Sequence, residues 1–200
     1  MTIYPDNYYH LYNRSNNNEI VFKTDDNYWY FLQKYKKYLE SEFDTIAYCL
    51  MPTHFHSLIF VRPVNFENNL NKLSEIDFVE NYMLQTKKKI GRLLSSYTKA
   101  INKRFNRHGS LFQEHTKAIH VDDESYLLSL ISYIHQNPVR AGLVKNLPDW
   151  EYSSYREYTG LRGEKYIKKE LIHNYFSTMD EFKKHSEELL DNIREKYWVR

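Results

Sequence analysis

Two histidines, one tyrosine and one asparagine carry the chemistry that this sequence suggests. His54 and His56 stand two residues apart in Met51-Pro52-Thr53-His54-Phe55-His56, just ahead of the apolar run Ser57-Leu58-Ile59-Phe60-Val61. On a strand this spacing puts both imidazoles on one face and Phe55 on the other. Two neutral imidazoles side by side make half of a metal site. A bare His-x-His is common, so the other half has to come from elsewhere in the chain. The segment Ser125 to Asn137 has a helical pattern, with Leu127, Leu130, Ile131 and Ile134 on one side and Ser129, Tyr133, Gln136 and Asn137 on an adjacent polar side. Tyr133 and Asn137, at i and i+4, therefore project from one face. The Asn137 carbonyl is a candidate third ligand, and a His, His, Asn set suits Mg²⁺ or Mn²⁺ completed by water or phosphate. A tyrosine one turn before such a ligand could attack a phosphorus that the cation polarises. Spacing alone does not single Tyr133 out of 19 tyrosines, and Asn137 also reads simply as a helix-end residue before a proline.

The elements that must position these residues follow in order. Tyr8 to Arg14 alternates as a first strand, and Asp25 or Asp26 can cap a helix running to about Glu42. Thr45–Leu50 is a second strand, Pro52 breaks it, and residues 54–61 return as a third. Residues 63–82 are polar and Asn-rich, and read as a loop or weakly helical connection. A long helix from Leu84 to Phe105 carries Ile90, Leu94, Tyr97 and Ile101 inward and ends at His108-Gly109. Lys117–Val121 is a fourth strand. The order βαββαβ predicts an α+β, ferredoxin-like (RRM-like) core with a four-stranded antiparallel sheet. The tyrosine-bearing helix follows, capped by Asp122 or Asp123 and stopped by Pro138. Trp150 to Tyr155 reads as an aromatic lock onto the domain surface. Residues 161–178 give no clear signal, and Met179 to Tyr197 reads as a helical tail with Phe182, Leu189, Leu190 and Ile193 inward. The expected division is therefore 1–160 as the functional domain and 161–200 as a helical C-terminal extension.

Composition narrows the function. The net charge is only +2, yet Thr86 to Arg107 holds Lys87, Lys88, Lys89, Arg92, Lys99, Lys103, Arg104 and Arg107 with no acid, so the rest of the chain nets −6. Such a stripe is an electrostatic footprint for a polyanion, though a solvated helix face reads the same way. If all eight cations engaged a single strand, the salt slope would be on the order of −6. The lone Cys49 excludes an internal disulfide and suits a reducing cytoplasm. With no apolar run near 18 residues and a polar N-terminus, no membrane partner is expected. His10, His108, His115, His120, His135 and the tail histidines have no identifiable partner in the sequence and read as non-ligands.

Beyond these patterns, ordered segments between about residues 8 and 160 resemble one family, the REP-associated tyrosine transposases of the single-tyrosine HUH superfamily. Leu50-Met51-Pro52-Thr53-His54-Phe55-His56 is similar to their LMPNHxH segment, with Thr53 in place of Asn and Phe55 a bulky hydrophobic residue. Tyr133 to Val144 resembles their YIHxNPVRAGLV, by far the most specific match. Tyr12-Asn13-Arg14, Gly109-Ser110-Leu111-Phe112-Gln113 and Trp150 to Tyr155 resemble YNR, GxLFQ and WxxSSY. The resemblance implies a DNA strand nuclease and transferase acting on single-stranded, hairpin-containing DNA. It implies His54, His56 and Asn137 as ligands of Mg²⁺ or Mn²⁺, and Tyr133 as the nucleophile forming a 5′-phosphotyrosine link. Tyr97 is the second candidate nucleophile, although its place in an apolar stripe favours packing. Arg14 and the cations Lys87, Lys88, Lys89, Arg92, Lys99, Lys103 and Arg104 are the expected DNA contacts. Monomeric and homodimeric forms stay open, with a slight preference for the tyrosine helix acting in cis. The competing reading is a nucleic-acid-binding ferredoxin-like module without cleavage activity.

Overall fold

A computed structural model describes residues 2–64, 75–172 and 175–188. Its sheet has strand order β2-β3-β1-β4, built from β1 (Asn7–Arg14), β2 (Phe43–Met51), β3 (His54–Val61) and β4 (Lys117–Val121), all pairs antiparallel. With α1 (Asp25–Leu39) and α2 (Glu75–Arg104) as the crossovers, this is the ferredoxin-like βαββαβ arrangement expected from the sequence.

The pleat assigns the layers. Phe55 packs on Phe31 of α1, and Phe31 packs edge-on against Tyr97 of α2, so α1 and α2 cover the Phe55 face. The helix α3 (Glu124–Arg140) covers the other face, where Tyr133 meets His10 and His56. Each layer shields one hydrophobic side of the sheet.

Helix boundaries depart from the sequence reading at identifiable points. Thr24 occupies the N-cap of α1, with Asp25 and Asp26 in the first turn beside the positive end of the helix dipole. The helix α2 begins at Glu75, nine residues earlier than expected, because Thr86 and Tyr82 extend its inner side beyond the clear apolar stripe. Pro138 does not stop α3. It sits in the last turn and leaves one carbonyl without its backbone donor, yet the helix continues to Arg140, and the Ala141 and Leu143 N–H groups bond the Asn137 and Pro138 carbonyls beyond it. Gly142, at φ +67°, then makes the left-handed turn that ends it, with its N–H on the Val139 carbonyl. At the other end Asp123 caps α3 by accepting a bond from the Tyr126 N–H.

The Trp150–Tyr155 segment does lock onto the sheet. Leu50 N–H donates to the Tyr152 carbonyl and Ser154 N–H to the Tyr48 carbonyl, so the segment runs along the edge of β2. Tyr152 stacks on Tyr28 at 3.6 Å between ring centroids, and its hydroxyl donates to Asp25. The helix α4 (Tyr155–Tyr158) follows, and Lys168 N–H bonds the Thr45 carbonyl. The helix α5 (Met179–Glu187) packs on α3 through buried Phe182. The expected inward residues Leu189, Leu190 and Ile193 lie outside the described residues. Among the described residues no helix is long and apolar enough to cross a membrane.

Candidate active site

The turn Pro52-Thr53 joins two strands whose last pair is Met51 and His54. Pro52 presets its own φ, and three backbone bonds pin the turn: Val21 and Phe22 N–H to the Pro52 carbonyl, Ser15 N–H to the Thr53 carbonyl. His54 and His56 therefore leave a rigid support, on the face that α3 covers. Their rings stand perpendicular with centroids 5.0 Å apart.

Each imidazole already uses one nitrogen. Thr53 Oγ1 lies 3.0 Å from His54 Nδ1, and His10 Nε2 lies 2.9 Å from His56 Nδ1. The other nitrogen of His56, Nε2, is buried without a partner. Burial pushes the His54 pKa down to about 4 and that of His56 well below its ordinary value, with Arg14 adding to both shifts. Both rings are thus neutral near pH 7, the form that ligates metal. Arg14 pairs with His54 across β1 and β3 and donates to Asn18 Oδ1. It is the sequence-predicted DNA contact that stands beside the histidines.

Tyr133 reaches the same place from α3. Its ring meets His56 edge-on at 5.8 Å and His10 at 6.4 Å, and it is only 5% exposed. Asn137, half-buried one turn later, donates its side-chain amide to the Tyr133 carbonyl at 3.0 Å. This bond orients the side chain on its own helix, and its carbonyl oxygen is the atom suited to a cation. No group of three His, Cys, Asp or Glu side chains fit to hold a metal occurs among the described residues. A cation here would need ligands of another kind, and an amide oxygen, phosphate or water answers that need. An unpartnered buried imidazole nitrogen beside a second imidazole fits a divalent ion with mixed nitrogen and oxygen ligands.

The back of α3 is held as firmly as its front. Gln136 donates to the carbonyls of Ser186 and Glu188, and Ser132 to that of His185. Tyr155 donates to Glu187. His135 bonds Ser154 Oγ at 2.8 Å inside a cage of Tyr155, Tyr158 and Phe182. The bonds of Gln136, Ser132 and His135 join the tyrosine helix to α5 and to the segment before α4, and the Tyr155 bond ties α4 to α5.

The basic helix lies elsewhere. Tyr97 is fully buried among Phe22, Phe31 and Phe112 on the far face, so α2 flanks the site through the thickness of the sheet. Lys89 is paired with Glu42, Arg104 with Asp26 and Arg107 with Glu19. Lys87, Lys88, Arg92, Lys99 and Lys103 are exposed. The sequence brought the eight cations together but not the carboxylates that answer three of them.

His10 and Thr53 are the residues that sequence reasoning missed. The reading of His10 as partnerless is corrected: strand alternation placed it on one face with Tyr12, but its bond to His56 spans 46 residues and needs the β1–β3 register.

A ferredoxin-like sheet with a two-histidine strand under a tyrosine-bearing helix defines the architectural class. A Haemophilus influenzae protein described as a REP-associated tyrosine transposase is 28% identical over 126 residues, 62% of this chain and 66% of that protein. The match thus spans about two thirds of the relative's length. The solved structure of a REP-associated tyrosine transposase bound to a REP hairpin shares the fold, with TM-score 0.54 at 16% identity over 80% of this chain and 82% of that one. No family model matches the chain. The resemblance seen in the motifs thus recurs in an independent sequence match and in the fold, both to proteins named REP-associated tyrosine transposases.

Proposed function

We propose that this chain is an HUH-type, transposase-like strand nuclease and transferase acting on single-stranded DNA that contains a hairpin. The observation that carries the reading is the edge-on packing of Tyr133 against His10 and His56, which sets a helix-borne phenol over the paired histidines. His54, His56 and the Asn137 carbonyl would hold Mg²⁺ or Mn²⁺, which when bound polarises a phosphate oxygen. The Tyr133 oxygen attacks phosphorus, its proton passing to solvent or a nearby base. The phosphorus–O3′ bond breaks, freeing a 3′-hydroxyl and leaving a 5′-phosphotyrosine. The link retains the energy of the broken phosphodiester, so a 3′-hydroxyl can reverse the step and join strands. Arg14, beside the histidines, would meet the phosphate at the cleaved position, and Lys87, Lys88, Arg92, Lys99 and Lys103 would supply phosphate contacts further away. Lys89 and Arg104 would contribute only after leaving their carboxylates. Residues 1–160 would form the working unit, with α5 and Glu188 bracing the tyrosine helix of the same chain.

Incubation with a hairpin-bearing single strand and Mn²⁺ should give a protein–DNA adduct that survives denaturation. Tyr133→Phe should abolish it and leave DNA binding nearly intact. An undiminished adduct in that variant would reject Tyr133 as nucleophile. Tight binding with no cleavage under any divalent metal would favour the binding-module alternative.

A further inference from the structure

We infer that His10 is a positioning residue for His56, holding it in the tautomer whose Nε2 is bare and ready to ligate. This rests on the metal reading above, and the geometry is local to three strands and one helix. His10 Nε2 and His56 Nδ1 are 2.9 Å apart, and both side chains are fully buried. A proton must lie between two nitrogens at that distance, so one ring donates and the other accepts. If His56 donates from Nδ1, its Nε2 carries a lone pair. If His10 donates instead, His56 Nε2 keeps a hydrogen and cannot bind a cation.

Among the described residues His10 is the hydrogen-bond partner of His56 Nδ1. His10 stands opposite Leu58 on β3 and Ile119 on β4, apolar neighbours that offer no competing bond. Tyr12 and Tyr133 close over it at 4.9 and 6.4 Å between centroids. The His10–His56 rings themselves lie nearly parallel, 24° apart. Both outer nitrogens of the pair, His56 Nε2 and His10 Nδ1, are buried without a hydrogen-bond partner among the described residues. The second histidine repeats the pattern, with Thr53 Oγ1 on His54 Nδ1. Both candidate ligands thus have Nδ1 occupied by the protein, an arrangement that fixes ring orientation and raises the basicity of the opposite nitrogen.

The test reads the metal-free protein first. Ring ¹⁵N chemical shifts should show His56 protonated at Nδ1 and bare at Nε2. In His10→Leu that preference should disappear, and Mn²⁺ affinity, measured by titration calorimetry on folded protein, should weaken about 10–100-fold. His10→Gln, which offers an acceptor oxygen at similar reach, should recover most of the affinity. A purely structural His10 would lower the melting temperature without moving either readout. The proposal is overturned if His56 carries its proton on Nε2 in the wild type, or if folded His10→Leu binds Mn²⁺ with wild-type affinity. Should His10→Leu fail to fold, His10→Gln and the wild-type tautomer decide the matter. Failure of the wild type to bind Mn²⁺ removes the metal reading itself, while an Nε2–H tautomer removes only the role of His10.

Discussion

On one face of β3, Phe55 meets Phe31 and Phe112, and through them the buried side of Tyr97. On the other, one residue either side in sequence, His54 and His56 meet Thr53, His10 and Tyr133. The first region is packed for stability and presents cations on the outer surface of α2. The second keeps unsatisfied polar atoms buried, an arrangement that stability alone would not favour. Lys88, Arg92, Lys99 and Lys103 fall within about 60° on the outer side of α2. They stand roughly a helix diameter, ~10 Å, beyond the sheet from the histidines. α1 adds to the same surface: a hydrogen bond from Ser96, then Lys34, Lys37 and Arg92, pull the Tyr38 hydroxyl pKa down. On the proposed function, most of the attachment to DNA and the strand chemistry would occupy different faces, so each should fail without the other.

The largest separation is expected from His54→Ala with His56→Ala. Adduct formation should fall below detection, while DNA affinity at fixed salt stays within about threefold. A comparable loss of binding would mean that the histidine face, not α2, holds the DNA. Next in size, changing Lys88, Arg92, Lys99 and Lys103 to Glu should flatten the salt slope of single-strand binding by about 3, at roughly 0.7 per cation. Mn²⁺ affinity should not change. Loss confined to one DNA sequence would contradict a phosphate-contact role.

Tyr97→Phe removes a buried hydroxyl that donates to the Val21 carbonyl at 3.1 Å. Stability should fall by about 1–2 kcal/mol in urea titrations, with adduct yield per folded molecule unaltered. A lost adduct would restore Tyr97 as a nucleophile and erase the division between the faces. The smallest effect concerns His135, which belongs to α3 but does not face the paired histidines. Burial pushes its pKa down to about 3, whereas in the unfolded chain it is near 6.5. The unfolded state therefore takes up a proton first as pH falls, and stability is lost below about pH 6.5, at no more than ~1.4 kcal/mol per unit for one histidine. His135→Gln should make stability less steep between pH 6.5 and 5. An unchanged slope would show that His135 does not remain neutral in the fold.

Much of the fold was legible because its signals are local. β3 and β4 fall on the residues expected from alternation and turn chemistry, and the Asp123 cap and the aromatic lock are where their residue types place them. The beginning of α2 and the passage of α3 through Pro138 were not legible. The first depends on packing of half-buried Tyr82, and the second on the backbone bonds from Ala141, Gly142 and Leu143 that close the helix after the proline.

The sequence by itself determined the two-histidine strand, the tyrosine and asparagine one turn apart on a polar helix face, and the concentration of cations between residues 86 and 107. These follow from residue type and the periods of strand and helix, which need no long-range information. Only the tertiary structure decided that α2 lies behind the sheet, that Glu42, Asp26 and Glu19 answer three of its cations, and that His10 stands behind His56. Each depends on strand register or helix packing between distant segments. A register shift of one residue would turn His10 to the other face, so its partner is a property of the assembled sheet rather than of any stretch of chain.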